Sequence, residues 1–379
     1  MELAWEELQQ LGQEAGLDAI GATTAEPFPE LESRLVDYAA RGRTGYEYED
    51  ISVRVNPKQW LPEAKSVIAA AMAYLTPAGK KTARSHPSGG MFGNVSVYSY
   101  GEDYHTVMLQ RLHALHRLLE QRLGRSIVAR AVVDTSPLVD RRVAERAGIG
   151  WVGKNCMLYT PEHGSFVFLG ALLVDVDIEP ASAEQSWRCE GCSRCLDACP
   201  TGALIAPGVI EATRCLSYVT QMKGIIPLEF RAALGRRVWG CDTCQWACPE
   251  NQSVQPSEHE EYLPMEELCY PDLIDILHLS QREFQRRYKS SAAAWRGVRT
   301  WQRNALIALG NLKNPLAVDH IVPFLGHDRR ELRASAAWAL RQIGHPIGRQ
   351  AVQEALAGET DQEVRDDMQW AEAQVDSEV

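Results

Sequence analysis

The chain has no uncharged apolar run of the roughly 18 residues that a membrane-spanning helix needs, which excludes a helical membrane protein and implies a soluble one. Its first residues, Met1-Glu2-Leu3-Ala4-Trp5-Glu6-Glu7, lack both the basic start of a secretory signal and a twin-arginine pair, so the cytosol is the expected compartment. Positive charge is in deficit: a formal net charge of −11 argues against a protein coated over its whole surface by nucleic acid. From Glu250 to His278 there is no Lys or Arg at all against eight acidic residues. Neither Cys195-x3-Cys199 nor Cys244-x3-Cys248 continues with x2-Cys, which removes radical S-adenosylmethionine chemistry.

What is present starts with size. A chain of 379 residues, 45% hydrophobic and 23% charged, exceeds one typical core and implies two or three globular domains. Residues 1–180 alternate helical and strand-like segments, an α/β or α+β pattern. Leu3–Ala15 reads as a helix, Ala19–Thr23 as a strand and Ser66–Tyr74 as a buried strand. An amphipathic helix follows over Val107–Leu123, with Met108, Leu112, Leu115 and Leu119 on one stripe, and then strands over Val128–Val133 and Phe166–Val174. Residues 251–267, acidic with Pro256 and Pro264, read as a linker. In the last quarter, Arg303–Gly310 echoes Ala337–Gly344 at a period of 34 residues; each copy is a helix rich in small residues ending at Gly, as in stacked helix-pair repeats.

Ten cysteines in a reducing compartment point to metal ligation or catalysis rather than disulfides. Cys189-x2-Cys192-x2-Cys195-x3-Cys199-Pro200 reproduces the bacterial ferredoxin run, in which three thiolates fill corners of one cubane and the fourth reaches another. A second set follows as Cys215 and Cys241-x2-Cys244-x3-Cys248-Pro249. Pseudo-symmetry assigns Cys189, Cys192, Cys195 and Cys248 to one [4Fe–4S] cluster and Cys199, Cys215, Cys241 and Cys244 to a second. Two structural zinc sites would use separated CxxC pairs and have no reason for a CxxCxxCxxxCP run. Cys156 and Cys269 remain over as small buried hydrophobes. Gly148-Ile-Gly150-Trp-Val-Gly153 matches a dinucleotide fingerprint, but it follows a helix-like segment instead of a strand, so it reads as a Gly-rich turn whose backbone approaches some other bulky ligand. Asp134 ends a strand before Thr135-Ser136-Pro137, where Ser136 is the better N-cap of a helix beginning at Pro137. That leaves Asp134 open to either a turn-stabilising or a site role.

The basic residues are concentrated: thirteen against four acidic from Arg282 to Arg349, then one against nine from Ala351 to the end. Arg282, Arg286, Arg287, Lys289, Arg296, Arg299 and Arg303, interleaved with Tyr288, Trp295 and Trp301, could grip phosphates and stack bases. Lys223 joins them as a further expected contact.

With these pieces in place, the chain resembles the epoxyqueuosine reductases, cobalamin-dependent iron–sulfur enzymes of queuosine biosynthesis in tRNA. The likeness runs through Tyr100-Gly-Glu-Asp103-Tyr-His105, Val133-Asp134-Thr135, Val143–Gly150, Gly153-Lys-Asn-Cys156, Thr160-Pro161-Glu162, both cysteine sets with Asp197–Ala203 and Gly240–Gln245, Trp295-Arg296-Gly297 and Gln302–Ala305. It implies an α+β architecture in which residues 1–180 form an α/β cobalamin-binding catalytic domain. Residues 181–255 would form a ferredoxin-like domain with two [4Fe–4S] clusters, and residues 270–379 HEAT-like helical repeats that bind tRNA.

It further implies reduction of epoxyqueuosine to queuosine at the wobble position by a monomer, with Asp134 as proton donor and an external donor such as a ferredoxin or flavodoxin feeding the clusters. An ordinary carboxyl is ionised at neutral pH, so that role calls for burial beside the corrin. Position in the chain suggests Val97, Tyr98, Tyr100, Asp134, Lys154, Leu158, Leu169 and Ser217 as corrin neighbours. No Asp-x-His-x-x-Gly motif follows Asp103-Tyr-His105, so no histidine is evidently offered to cobalt from below, which favours its most reduced state. Reductive dehalogenases share this cofactor set but would call for an exported chain without a basic repeat domain. An electron-carrier module would need only the clusters.

Overall fold

The computed structural model describes residues 2–180 and 186–373; the expected domain boundary at 181 lies outside the described residues. The chain divides into two compact units, neither continuous in sequence: Met1–Lys80 with Glu102–Thr213 and Asp242–Leu263, and Lys81–Gly101 with Arg214–Cys241 and Pro264–Val379.

The first unit is built on strands β1 (Ala19–Thr24), β2 (Ser66–Ala73), β3 (Ala129–Val132) and β4 (Val167–Val174), ordered β1-β2-β4-β3 with every neighbouring pair antiparallel. The expected α/β domain is therefore α+β at its sheet. Continuous apolar strands usually signal a parallel sheet covered on both faces; here an antiparallel sheet is covered likewise, and every residue of β2 is buried. Val67, Ala69, Ala71 and Ala73 share one face by the two-residue period and pack with Val143, Ala144 and Ala147.

Helices α1 (Trp5–Glu14), α2 (Tyr104–Leu123) and α3 (Asp140–Arg146) pack around this sheet, α2 against β4. The stripe Met108, Leu112, Leu115 and Leu119 is fully buried, worth roughly 1.5–3 kcal/mol per side chain. Asp103 caps the start of α2 by accepting from the His105 backbone N–H at 3.0 Å, and Gly124 ends it in the left-handed conformation. Helix α3 begins at Asp140 and not at Pro137, because Ser136 closes a local turn by accepting from the Leu138 N–H at 3.3 Å. The segment read as a linker packs into this unit as far as Leu263: Asn251, Ser257 and Tyr262 are buried, and Ser257 Oγ donates to the Ala73 carbonyl at 2.6 Å.

After the short helices α4 (Arg194–Asp197) and α5 (Thr243–Trp246) of the cysteine region come the repeats of the second unit, α6 (Val298–Leu312), α7 (Arg330–Ile343), α8 (Pro346–Gly358) and α9 (Gln362–Ala373). Helix α6 packs on α7, α7 on α9 and α8 on α9. Gly344 ends α7 as read, but Gly310 lies inside α6, which runs on to a left-handed Lys313. Gly310 is there for close approach: a Cβ would come within 2.8 Å of the Ala339 Cα. The expected 181–255 domain does not appear as a contiguous block. Arg214–Cys241 belongs to the unit of the repeats, because Arg237–Trp239 pairs in parallel with Asn94–Val95 and the 219–224 loop is tied to α6.

Candidate active site and cluster cysteines

Asp134 follows β3 in the first unit, its carboxylate held by two neighbours from the start of α2. His105 Nε2 lies 2.8 Å from Oδ1, and the Tyr104 hydroxyl donates to Oδ2. On its other side His105 Nδ1 meets Asp103 Oδ1 at 2.7 Å. The Tyr104 ring stacks on Phe168 of β4 at 4.3 Å and on the His105 imidazole at 4.1 Å, so sheet and helix fix the position of both donors. Burial alone would push the His105 imidazolium down in pKa; the hydrogen bonds it donates to the Asp103 and Asp134 carboxylates outweigh it and hold the group up at about 9. Burial likewise works against the Asp103 carboxylate, but its bonds to His105 keep it below the usual carboxylate range.

Of the two readings of Asp134, the geometry fits a site role, since side chains rather than turn N–H groups hold it. The chain's own atoms do not bury it, though: its side chain is 48% exposed. Tyr104 and His105 were missed as participants. Asp-x-His at a helix start was visible in the sequence, but nothing local shows that the helix points this imidazole at a strand end thirty residues away.

Six of the eight expected ligand cysteines lie in the first unit, Cys189, Cys192, Cys195, Cys199, Cys244 and Cys248; Cys215 and Cys241 lie in the second. None of the eight is in a disulfide. Short helices α4 (Arg194–Asp197) and α5 (Thr243–Trp246) pack together, and Cys195, Cys199 and Cys244 gather with Cys156, Leu196, Leu204 and Ile210. Cys248 packs with Trp151 and Tyr159. Burial would raise the Cys199 thiol, but backbone N–H groups of Leu204, Thr201 and Ala203 bring it below its ordinary value, which favours the ligating thiolate. Lys154 Nζ donates to the Cys192 carbonyl at 2.8 Å, steadying the loop between the first two cysteines. Among the described residues no three His, Cys, Asp or Glu side chains converge as around a single ion; the thiolates of a cubane bind separate irons at separate corners.

At the Gly-rich turn the close neighbour is the chain's own Tyr159 rather than the expected bulky ligand: a Cβ at Gly150 would sit 2.1 Å from its carbonyl oxygen, and one at Gly153 2.7 Å from its ring. Both left-over cysteines, Cys156 and Cys269, are buried. Of the residues suggested as corrin neighbours, Val97, Tyr100 and Leu158 are buried by protein at 4%, 3% and 2% exposure, so their side chains offer no face to a large planar ligand. Tyr98, Lys154, Leu169 and Ser217 keep accessible surface.

In the second unit the expected tRNA contacts separate into two groups. Lys223, Arg282, Arg286, Lys289 and Arg299 are exposed, and Arg296 lies over the ring of Trp295, which is 56% exposed. Arg287 instead bonds to Asp275 and Glu283. Arg303 corrects the expectation outright. It is 2% exposed and donates to the carbonyls of Met222, Gly224, Val219 and Thr220 at 2.7–3.3 Å, so it cannot reach a phosphate. Trp301 and Tyr288 stack on each other in the core and cannot stack on bases.

Comparison with known proteins agrees with this layout. Residues 54–135 match the family model described as epoxyqueuosine reductase QueG, DUF1730; residues 188–251 match the 4Fe-4S double cluster binding domain and residues 299–371 the HEAT repeats. The epoxyqueuosine reductase of Bacillus cereus is 41% identical over 93% of this chain and 92% of its own, and that of Bacillus subtilis 41% identical over 95% and 93%. A crystal structure of epoxyqueuosine reductase with an epoxyqueuosine-modified tRNA-Tyr stem loop superposes with a TM-score of 0.90 at 39% identity, covering 97% of each chain. A Bacillus subtilis structure, with its Asp134 catalytic loop swung out of the active site, superposes with a TM-score of 0.90 at 38% identity, again over 97% of each chain. With both cysteine sets, the Asp134 constellation and the repeats present over nearly the full length of these relatives, the chain belongs to the epoxyqueuosine reductase family.

Proposed function

We propose that this protein reduces epoxyqueuosine to queuosine at the wobble position of tRNA, with Asp134 delivering protons to the departing epoxide oxygen. The observation that carries the reading is the placement of Asp134: an accessible carboxylate fixed by Tyr104 and His105 in a chain 41% identical to epoxyqueuosine reductases. Conversion of the epoxide to the cyclopentene takes two electrons and two protons. Eight thiolates holding two [4Fe–4S] clusters suit that count, because each cluster passes one electron at a time from an external donor.

A cobalamin, when bound, supplies the strongly reducing centre that such a deoxygenation needs. The donor set is compatible with it, because carboxylates occupy both ring nitrogens of His105 and this imidazole is not offered as an axial ligand. In the first unit Lys154 and Leu169 are residues that would line it. Substrate binding falls to the exposed cations of the second unit, Lys223, Arg282, Arg286, Lys289 and Arg299, with Trp295 under Arg296 as a platform for a base.

The test is reconstitution with iron, sulfide and cobalamin, followed by incubation of the reduced protein with an epoxyqueuosine-containing stem loop. Expected are a corrin band over the iron–sulfur absorption and queuosine in the digested RNA. Clusters without a corrin band and without product would leave an electron carrier.

A further inference from the structure

The first unit leaves a question about the acid. One carboxyl can deliver one proton, and the reaction consumes two. We infer that the transferred protons are stored on His105, oriented by Asp103, and pass through Asp134 to the epoxide oxygen. This rests on the reading of Asp134 as the acid, and it makes His105 and Asp103 positioning and proton-supplying residues behind it.

The geometry requires a charged ring. His105 Nδ1 faces Asp103 at 2.7 Å and Nε2 faces Asp134 at 2.8 Å, and only the imidazolium donates from both nitrogens at once. Asp103 cannot turn away, because its carboxylate also accepts the His105 backbone N–H as the cap of α2. Stacking on Tyr104 holds the imidazole plane, while one third of the side chain stays open to water, from which it can be recharged. Two carboxylates outweigh burial and keep the ring protonated up to about pH 9.

The other groups acting on this set are accounted for. The Tyr104 hydroxyl donates to the second Asp134 oxygen. Asp140, first residue of α3, feels Asp134 as a like charge and, chiefly through burial, has its own carboxyl pushed up to about 7, with Arg141 and Arg54 opposing.

The protons balance over one turnover. As the first C–O bond breaks, the Nε2–H proton moves to Asp134 Oδ1 and on from there to the developing alkoxide, which leaves Asp134 a carboxylate again; neutral His105 keeps its Nδ1–H on Asp103. Water recharges the ring. As the second C–O bond breaks, the same path delivers the second proton, and the products are an alkene and water, with both electrons supplied by the reduced enzyme. A departing alkoxide oxygen is far more basic than the His105 imidazole, so the proton moves downhill from ring to oxygen.

The test uses the full reduced holoenzyme in single turnover across pH, with cluster and corrin absorption as the folding control. Wild type should lose rate as pH rises through about 9. His105→Gln, which can still donate to Asp134 but cannot titrate, should be roughly 10-fold slower or more and lack that alkaline limb. Added imidazole should restore part of the rate to His105→Ala. Asp103→Asn should move the limb to lower pH. Independently of activity, the histidine NMR titration of His105 should show a raised midpoint that falls in Asp134→Asn. A His105→Gln protein with wild-type rate and pH profile, or a His105 midpoint at the ordinary 6.5, overturns the inference. Wild-type turnover by Asp134→Asn would instead bring down the assignment of Asp134 itself.

Discussion

Two charged constellations of this protein use the same kinds of bond to opposite ends. Around Asp134 a carboxylate about half exposed and an imidazole one third exposed are both open to water, and a histidine can give up its proton and take one back. Around Arg303 a guanidinium is sealed in the second unit among four carbonyls, and the neighbouring Asn304 donates to Thr220 and Val238 at 2.7 Å each. Arginine cannot give up its proton in a protein, so it serves as a permanent rivet. The difference shows that chemistry resides where a proton can leave and water can return it, and architecture where neither happens.

The largest effect expected to sharpen this contrast is on turnover. Asp134→Asn keeps shape and hydrogen-bonding capacity but carries no transferable proton, so the single-turnover rate should fall about 10²-fold or more, while the denaturation midpoint falls only by what the lost His105 pairing contributes. A loss of stability with normal turnover per folded molecule would make Asp134 architectural after all.

Arg303→Ala should do the reverse. It strips donors from four buried carbonyls, and a destabilisation on the order of 3 kcal/mol in urea unfolding is the expected outcome. Arg303→Lys should recover only part of it, because one ammonium cannot span the same fork. The ion pair between Arg231 and Asp367, 1% and 7% exposed, should respond similarly: Asp367→Ala leaves a buried charge uncompensated, at roughly 3 kcal/mol. Near-wild-type stability in these variants would dissolve the contrast from its other side.

Smaller changes are expected on the exposed cations. Replacing Arg282, Arg286 and Lys289 together by Gln should weaken stem-loop binding and flatten its dependence on log[salt] by up to about one unit per lost phosphate contact, with stability unaffected. An unaltered slope would place the RNA elsewhere.

The smallest effect concerns pH. The folded His105 pKa lies above its unfolded value of 6.5, so its pairing contributes stability that is fully present below 6.5 and lost as pH rises through about 9. The stability gap between wild type and His105→Gln, followed by denaturant titration, should close over that interval.

Much was already readable from the residues alone. The cysteine runs are local, since their spacing reflects how one loop and one short helix wrap a cubane. The α2 stripe and the four strands rest on periodicity, which burial enforces wherever one face meets a core. The 34-residue echo rests on helix pairs repeating their packing face. Arg303 shows the limit: nothing in Gln302-Arg303-Asn304 distinguishes an arginine turned inward from the solvent-facing Arg282 or Arg286, because the helix stripe permits either and only the carbonyls of the 219–224 loop decide. The same holds for the sheet: the apolar runs left α/β and α+β both open, and only the pairing shows every neighbouring strand antiparallel. It holds most of all for Asp103, His105 and Asp134. The sequence by itself determined that a cap, an imidazole and a strand-end carboxylate exist; only the packing of α2 on β4 brought them into one line, because a hydrogen bond between groups thirty residues apart is set by how helix and sheet meet and leaves no periodic trace in either.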